Sequence, residues 1–278
     1  MVKVACERPD QYGRSLSQWD CAELALEMVA VGLVVSISAS SIRRILAYHK
    51  LKPWRHHLWL STKVPRDEAF IASVEALVKL YTRVLEPDEV VLCLDEKTSL
   101  QPRSRLSPTK ATKPGQVTLV EHEYLRNGAL NLLAAFDTRT GRVYGLTRPR
   151  KRQVEFIELL EKLEAAFGPE ITHIHLVMDN VPMHHGKLVQ EWLWAHPRFE
   201  CHFPPVHCSW LNQVEQWFSI LQRKRFRIAG FESLDHLAER LQTFINEWNA
   251  RAHPFNWTSK SAAKVMAKCD KPALSLVA

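Results

Sequence analysis

Residues 90–96 read VVLCLDE, and residues 171–180 read ITHIHLVMDN. In each stretch an apolar run leads into an acid, Asp95 in the first and Asp179 in the second. Successive side chains of a strand point to opposite sides, so the unbroken apolar run from Val90 to Leu94 fits a strand covered on both faces. The run from Ile171 to Met178 reads as a second strand. Function collects where such strands end, because the sheet is rigid there and the loop beyond is open. Asp95 and Asp179 are therefore expected at strand ends, as candidates for chemistry.

Around these two stretches the chain alternates between periods. Leu130 to Phe136 is an expected strand, turned by Thr140-Gly141 into another at Arg142 to Leu146. Phe156, Leu160, Leu163 and Phe167 recur at helical spacing until Gly168-Pro169 stops them. A helix is expected at Lys187 to Ala195, then a short strand near Glu200 to Phe203. After Pro204-Pro205 a helix follows from about Ser209 to Leu221, and Leu234, Leu237, Leu241, Phe244 and Trp248 mark a last one. This order predicts a mixed α/β sheet with helices on its faces.

The helix expected at 209–221 carries a third acid. Leu211, Val214, Phe218 and Leu221 form a stripe suited to docking on a sheet, and Asn212, Glu215, Ser219 and Gln222 form the polar stripe beside it. Glu215 alone would pass for a surface residue. Converging with Asp95 and Asp179, it would complete an oxygen-rich site for hard divalent cations such as Mg²⁺. Two such ions can activate a water or a 3′-hydroxyl and stabilise the leaving oxygen of a phosphoryl displacement.

The charge distribution suits an anionic partner. The net charge is +7, and from Met28 to Arg66 there are seven Lys or Arg and no acid. From Lys97 to Val120 there are five basic residues and again no acid. Short basic runs follow at Arg148–Arg152 and Arg223–Arg227. Basic stretches recurring along a chain fit a phosphate backbone held at several points.

The first basic stretch has helical signals. Ser17 with Asp20 reads as a capping box, and Trp19, Ala22, Leu26 and Val29 then repeat as one apolar face until Gly32. Ser38 can cap a second helix with Ile42, Ile45 and His49 on one side, and Pro53 bars its continuation. Two short helices of which the second is basic make a helix-turn-helix pattern. Its candidate DNA contacts are Ser40, Ser41, Arg43, Arg44, Lys52, Trp54 and Arg55, although Trp54 and Trp59 also suit core or hinge packing. The expected organisation is a DNA-binding arm over 1–66, a connector helix over 67–86 and an α/β catalytic domain over 87–278.

Other classes find little support. The six cysteines show no CxxC pair, which suggests a reducing, cytoplasmic compartment. The cluster Cys201, His202, His207 and Cys208 matches no structural zinc spacing, so zinc is not expected there. The longest uncharged stretch, Met28 to Ile42, falls short of the ~20 residues of a spanning helix, and no nucleotide-binding or zinc-protease motif occurs.

LCLDEKTSLQPR at 92–103, EYLRNGALNLLAAFDTRTG at 123–141, HLVMDNVPMHHGK at 175–187 and FPPVHCSWLNQVEQWFSIL at 203–221 together resemble the bacterial insertion-sequence transposases of the mariner superfamily. SASSIRRIL at 38–46 and LKPWR at 51–55 extend the resemblance into the N-terminal arm. It implies a DDE endonuclease of ribonuclease-H-like fold, with Asp95, Asp179 and Glu215 as a catalytic triad holding two Mg²⁺ ions, Mn²⁺ being an alternative. Thirty-five residues separate Asp179 from Glu215, within the family's habit. Glu96 and Asn180 are implied to shape the site, Asn212 to contact metal-bound water or phosphate, and His184 to contact phosphate or water. The resemblance also implies cleavage at element ends, 3′-hydroxyl attack on target DNA at TA, a homodimer on paired ends and a bacterial, nucleoid-associated setting. Relatives usually carry two helix-turn-helix units, so this chain is expected to hold the second without the first.

Two further readings stay open. One is a catalytically silent, truncated or repurposed transposase acting as a DNA-binding repressor. The other, a structure-selective ribonuclease on the same fold, is disfavoured because RNA–DNA hybrids need no major-groove helix.

Overall fold

The computed structural model describes residues 1–56, 66–256 and 263, so Trp59 lies outside the described residues. The chain separates into two compact units, Met1–Lys63 and Val64–Ala278.

The first unit is helical. α1 spans Val2–Cys6, a single 3-10 turn follows at Pro9–Tyr12, and α2 (Cys21–Ala30) and α3 (Ala39–Tyr48) form the expected pair. The start of α2 corrects the expectation: Asp20, not Ser17, is its cap, accepting from the N–H groups of Ala22 and Glu23 at 2.7 and 2.9 Å. Trp19 therefore precedes the helix and does not set its phase. The buried face is Cys21, Leu24, Ala25 and Met28, while Leu26 and Val29 are 60% and 43% exposed. Ser38 caps α3 as expected, accepting from Ser41 N–H at 3.1 Å. Ile42 and Leu46 are the residues α3 buries, whereas Ile45 and His49 face solvent. Residues before the pair join its core: Val4 and Ala5 pack with Trp19, whose indole donates to the Glu7 carbonyl at 2.9 Å.

The second unit is built on a five-stranded sheet of order β5-β4-β1-β6-β7. The strands are β1 (Glu89–Leu100), β4 (Leu130–Asp137), β5 (Val143–Arg148), β6 (His173–Val177) and β7 (Phe199–His202), with a separate hairpin of β2 (Arg103–Arg105) and β3 (Tyr124–Arg126). β4 is antiparallel to β1 and β5, whereas β6 is parallel to β1 and β7. Gly141 in the β4–β5 turn has φ +75°, and a Cβ there would lie 2.0 Å from the His253 carbonyl oxygen, so the turn requires glycine.

Each face of the sheet is covered, which is why β1 is apolar throughout its first half. Val91 and Cys93 point toward α4 (Glu68–Thr82), α7 (Val214–Leu221) and α8 (Leu234–Asn249). Val90, Leu92 and Leu94 point toward α5 (Gln153–Ala166) and α6 (Lys187–Ala195). The expected connector helix, α4, packs Val74, Leu77 and Leu80 into this unit's core. Its Tyr81 hydroxyl donates to the Leu211 carbonyl at 2.9 Å. The architecture is the ribonuclease-H-like mixed sheet with flanking helices, preceded by a small all-α unit.

Candidate active site

Alternation along β1 decides what meets what. Asp95 continues the series Val91, Cys93 and so falls on the face covered by α7. Glu96 continues the series Val90, Leu92, Leu94 and falls on the face covered by α5. Asp179 follows the same rule on β6, since Val177 belongs to the α7 face and Met178 to the other.

Asp95 is not at a strand end. β1 runs on to Leu100, with Asp95 opposite Ala134 and Glu96 opposite Leu133 of β4. The parallel ladder with β6 stops earlier, at Cys93 opposite Val177. Asp95 therefore sits in mid-strand, just past the point where its other neighbour peels away, while Asp179 lies beyond the end of β6. Pairing with β4 prolongs β1 through residues whose polarity reads as a loop.

α7 supplies the third acid. Val214, Trp217, Phe218 and Leu221 are buried against the sheet, and Glu215 lies on the exposed side of the same helix. A 3-10 turn at Ser209–Leu211 precedes α7 in place of the continuous helix expected from Ser209. Asn212 joins these pieces: its amide donates to the Leu94 carbonyl at 2.7 Å, and its Oδ1 accepts from Val214 N–H at 3.4 Å. Asn212 is buried and engaged on both sides, so it ties α7 to β1 next to Asp95.

The acids act on one another. Burial pushes the Asp95 carboxyl up to about 7, and the negative charges of Glu215, Glu96 and Asp179 add to the rise. The Glu96 N–H, donating to Asp95 Oδ1 at 2.7 Å, opposes it. Asp179 Oδ1 is a buried oxygen without a hydrogen bond. It lies 3.3 Å from His184 Nδ1, but that nitrogen is engaged by the Asp179 main-chain carbonyl at 2.8 Å. Among the described residues the ligand oxygens of the three acids do not all lie within 4.8 Å of one another, yet Asp95 feels the charges of the other two, and carboxylate oxygens are the donors a hard divalent cation takes.

His184 is placed differently from the expectation of a phosphate or water contact. It is fully buried, its ring tilted by 42° to that of Phe156 with centroids 4.5 Å apart, and its Nε2 lies 3.1 Å from Glu96 Oε1. Burial alone would lower its pKa, yet the hydrogen bonds to Asp179 and Glu96 carry it up to about 9. A charged imidazolium thus bridges β1 and the loop after β6 that carries Asp179. Glu96 also has Lys151 Nζ at 3.7 Å, a partner that periodicity could not assign. Asn180 is exposed and bonds through its side-chain oxygen to His185.

The candidate DNA contacts lie in the helical unit. Ser40, Arg43 and Arg44 on α3 are exposed, as are Lys52 and Arg55 beyond it. Ser41 is half-buried and accepts from Arg44 at 3.3 Å. Trp54 is half-buried against the helical core. In the second unit, the β2–β3 hairpin gathers Arg103, Arg105 and Arg126 around the Tyr124 ring at 4.9, 5.4 and 5.8 Å. The basic stretch from Lys97 hinted at this patch, but Tyr124 and Arg126 gave no sequence signal.

Comparison with known proteins gives the family and the fold. Residues 90–254 match the family described as DDE superfamily endonuclease. The chain is 26% identical over 260 residues to the uncharacterized 39 kDa protein of insertion element IS630 from Shigella sonnei, covering 92% of this chain and 71% of that protein. The pre-cleavage Mos1 transpososome superimposes with a TM-score of 0.57 at 14% identity, covering 91% of this chain and 75% of that one. The Mos1 mariner paired-end complex with Mn gives 0.53 at 16% identity, covering 84% and 67%. At these identities the structural likeness establishes the fold.

Proposed function

The chain belongs to the DDE superfamily endonucleases, and on that premise we propose that it is a transposase that binds element-end DNA, cuts it and joins the 3′ end to target DNA. Asp95, Asp179 and Glu215 are its catalytic residues and metal ligands. One observation carries this reading: strand alternation and the seating of α7 bring the three acids into each other's field, raising the Asp95 carboxyl to about 7 through burial and neighbouring charge.

Two Mg²⁺ ions, or Mn²⁺, held by these residues would activate a water or 3′-hydroxyl and stabilise the leaving oxygen. The residues suit such ions through their carboxylate oxygens and the negative charge that Glu215, Glu96 and Asp179 add around Asp95. The protein's own contribution is positioning. The Glu96 N–H orients the Asp95 carboxylate, His184 ties the Asp179 loop to β1, and Asn212 fixes the start of α7. The helical unit is assigned to recognition of the terminal inverted repeats through Ser40, Ser41, Arg43, Arg44, Lys52 and Arg55. A homodimer on paired ends and a TA target complete the proposal. Among the described residues no helix is long and apolar enough to cross a membrane.

The test is a cleavage assay on duplex DNA carrying the inverted repeats that flank this gene. The intact protein is expected to cut it with Mg²⁺, and Asp95→Ala to bind it as well but leave it whole. Undiminished cleavage by Asp95→Ala overturns the assignment. Tight binding without cleavage by the intact protein favours the repressor instead.

A further inference from the structure

Two imidazoles and a carboxylate meet on the outer edge of the sheet, apart from the three acids. His175 of β6 is in register with Glu200 of β7, so the two side chains share a face. His202, two residues after Glu200, shares it as well. His175 Nδ1 and His202 Nε2 stand 3.0 Å apart. A Glu200 oxygen lies 3.4 Å from the first and its other oxygen 3.7 Å from the second. Among the described residues this is the only set of three His, Cys, Asp or Glu whose ligand atoms all lie within 4.8 Å of one another.

Donor atoms at about 2.0–2.2 Å from one ion in tetrahedral geometry stand roughly 3.3 Å apart. The nitrogen pair at 3.0 Å and the two nitrogen–oxygen distances, each to a different Glu200 oxygen, lie near that value. The surroundings are also those of a metal-binding histidine. His175 Nε2 is a buried nitrogen without a hydrogen bond, 3.7 Å from Glu89 Oε1. Arg83 fixes Glu89 in turn through contacts of 2.5 and 2.9 Å. A metal-bound imidazole commonly turns its remote N–H toward such a carboxylate, which fixes the tautomer and ring orientation. His175 would carry its proton on Nε2, leaving the Nδ1 lone pair for the ion. His202 would carry its proton on Nδ1, leaving the Nε2 lone pair for the ion.

We propose that His175, Glu200 and His202 form a second metal site, for a divalent transition ion of the zinc class. Two imidazole nitrogens and one carboxylate suit zinc, whereas Mg²⁺ takes oxygen ligands. The site is distinct from the acidic one, because Asp179 lies four residues beyond His175, about 13 Å at the rise of a strand. Bound there, the ion would cross-link β6 to β7, a four-residue edge strand with one neighbour in the sheet. The Cys201, His202, His207, Cys208 cluster could not disclose it. Cys201 packs on the opposite face, and the second histidine comes from a strand 27 residues earlier.

The experiment is a titration of the full chain with Co²⁺ alone as the metal probe, in buffer holding excess Mg²⁺ to occupy the acidic site. One equivalent is expected to bind with the visible absorption of four-coordinate cobalt, and Zn²⁺ to displace it. His202→Gln and the exposed Glu200→Gln are expected to weaken binding at least about tenfold, and Glu89→Gln by about tenfold through the lost partner of His175. Thermal melts establish that each variant is folded. Asp95→Ala and Cys201→Ser are expected to bind as the parent does. The proposal is overturned if the parent gives no such absorption, if folded His202→Gln keeps it, or if Asp95→Ala or Cys201→Ser loses it.

Discussion

His184 Nε2 lies 3.1 Å from Glu96 Oε1, with the histidine side chain wholly inaccessible and that of the glutamate 4% exposed. This buried ion pair links β1 to the loop after β6, the two segments that carry Asp95 and Asp179. Removing one member of a buried pair strands the other charge, at a cost of about 3–5 kcal/mol. His184→Gln is therefore expected to lower stability toward urea by about that amount, and Glu96→Gln added to it to recover part of the loss. The effect has a pH signature. A histidine raised to about 9 contributes stability that is complete below its ordinary value, near 6.5, and lost as pH rises through 9. The gap between the parent and His184→Gln should be widest at pH 6 and narrow above pH 9.

Asp95 shifts stability with pH in the same direction, for a different reason. Its carboxyl is raised to about 7, so the folded state holds that proton more tightly than the unfolded chain. Its contribution to stability therefore falls as pH climbs from about 4 to 7. In metal-free buffer at pH 8, Asp95→Asn is expected to melt higher than the parent, with the difference vanishing near pH 4. The same variant should cut no DNA. Equal melting of the two proteins across that range would contradict the crowding of the acids.

Asn212→Ala should leave the buried Leu94 carbonyl without its donor. The expected loss is about 1–3 kcal/mol in chemical denaturation. Cleavage at a temperature where the variant remains folded should fall further than the stability loss alone would cause, because α7 and Glu215 lose their tie to β1. Cleavage at the parent's rate would remove Asn212 from any positioning role.

The β2–β3 hairpin is expected to touch DNA phosphates. Arg103→Ala and Arg126→Ala should each weaken binding across sequences. Each should also reduce the slope of log affinity against log salt by about 1. An unchanged slope in both would place the hairpin away from the nucleic acid.

Much of this architecture is legible in residues 90–96 and 171–180. An apolar run long enough to serve both faces of a sheet identified β1, and alternation alone assigns Asp95 to one face and Glu96 to the other. Partner-dependent features were not legible. β1 extends past Asp95 because β4 pairs with Glu96 and Lys97, and no local pattern encodes that ladder. The phase of α2 departs from the expected one because Asp20 rather than Ser17 caps it, which leaves Trp19 outside the helix. The burial of His184 and the meeting of His175 with His202 depend on neighbours far along the chain. Periodicity reports a residue's own element and is silent about what crosses from another.

If Asp95, Asp179 and Glu215 grip the same cations, iron-directed cutting of the chain should mark all three. With Fe²⁺ in place of Mg²⁺, ascorbate and peroxide generate radicals that sever the backbone beside the bound ion. Cuts are expected near residues 95, 179 and 215 together, all lost in Asp95→Ala and all suppressed by excess Mg²⁺. Cuts near 95 and 179 with none near 215 would show that the helical glutamate stands outside the site and would contradict the account.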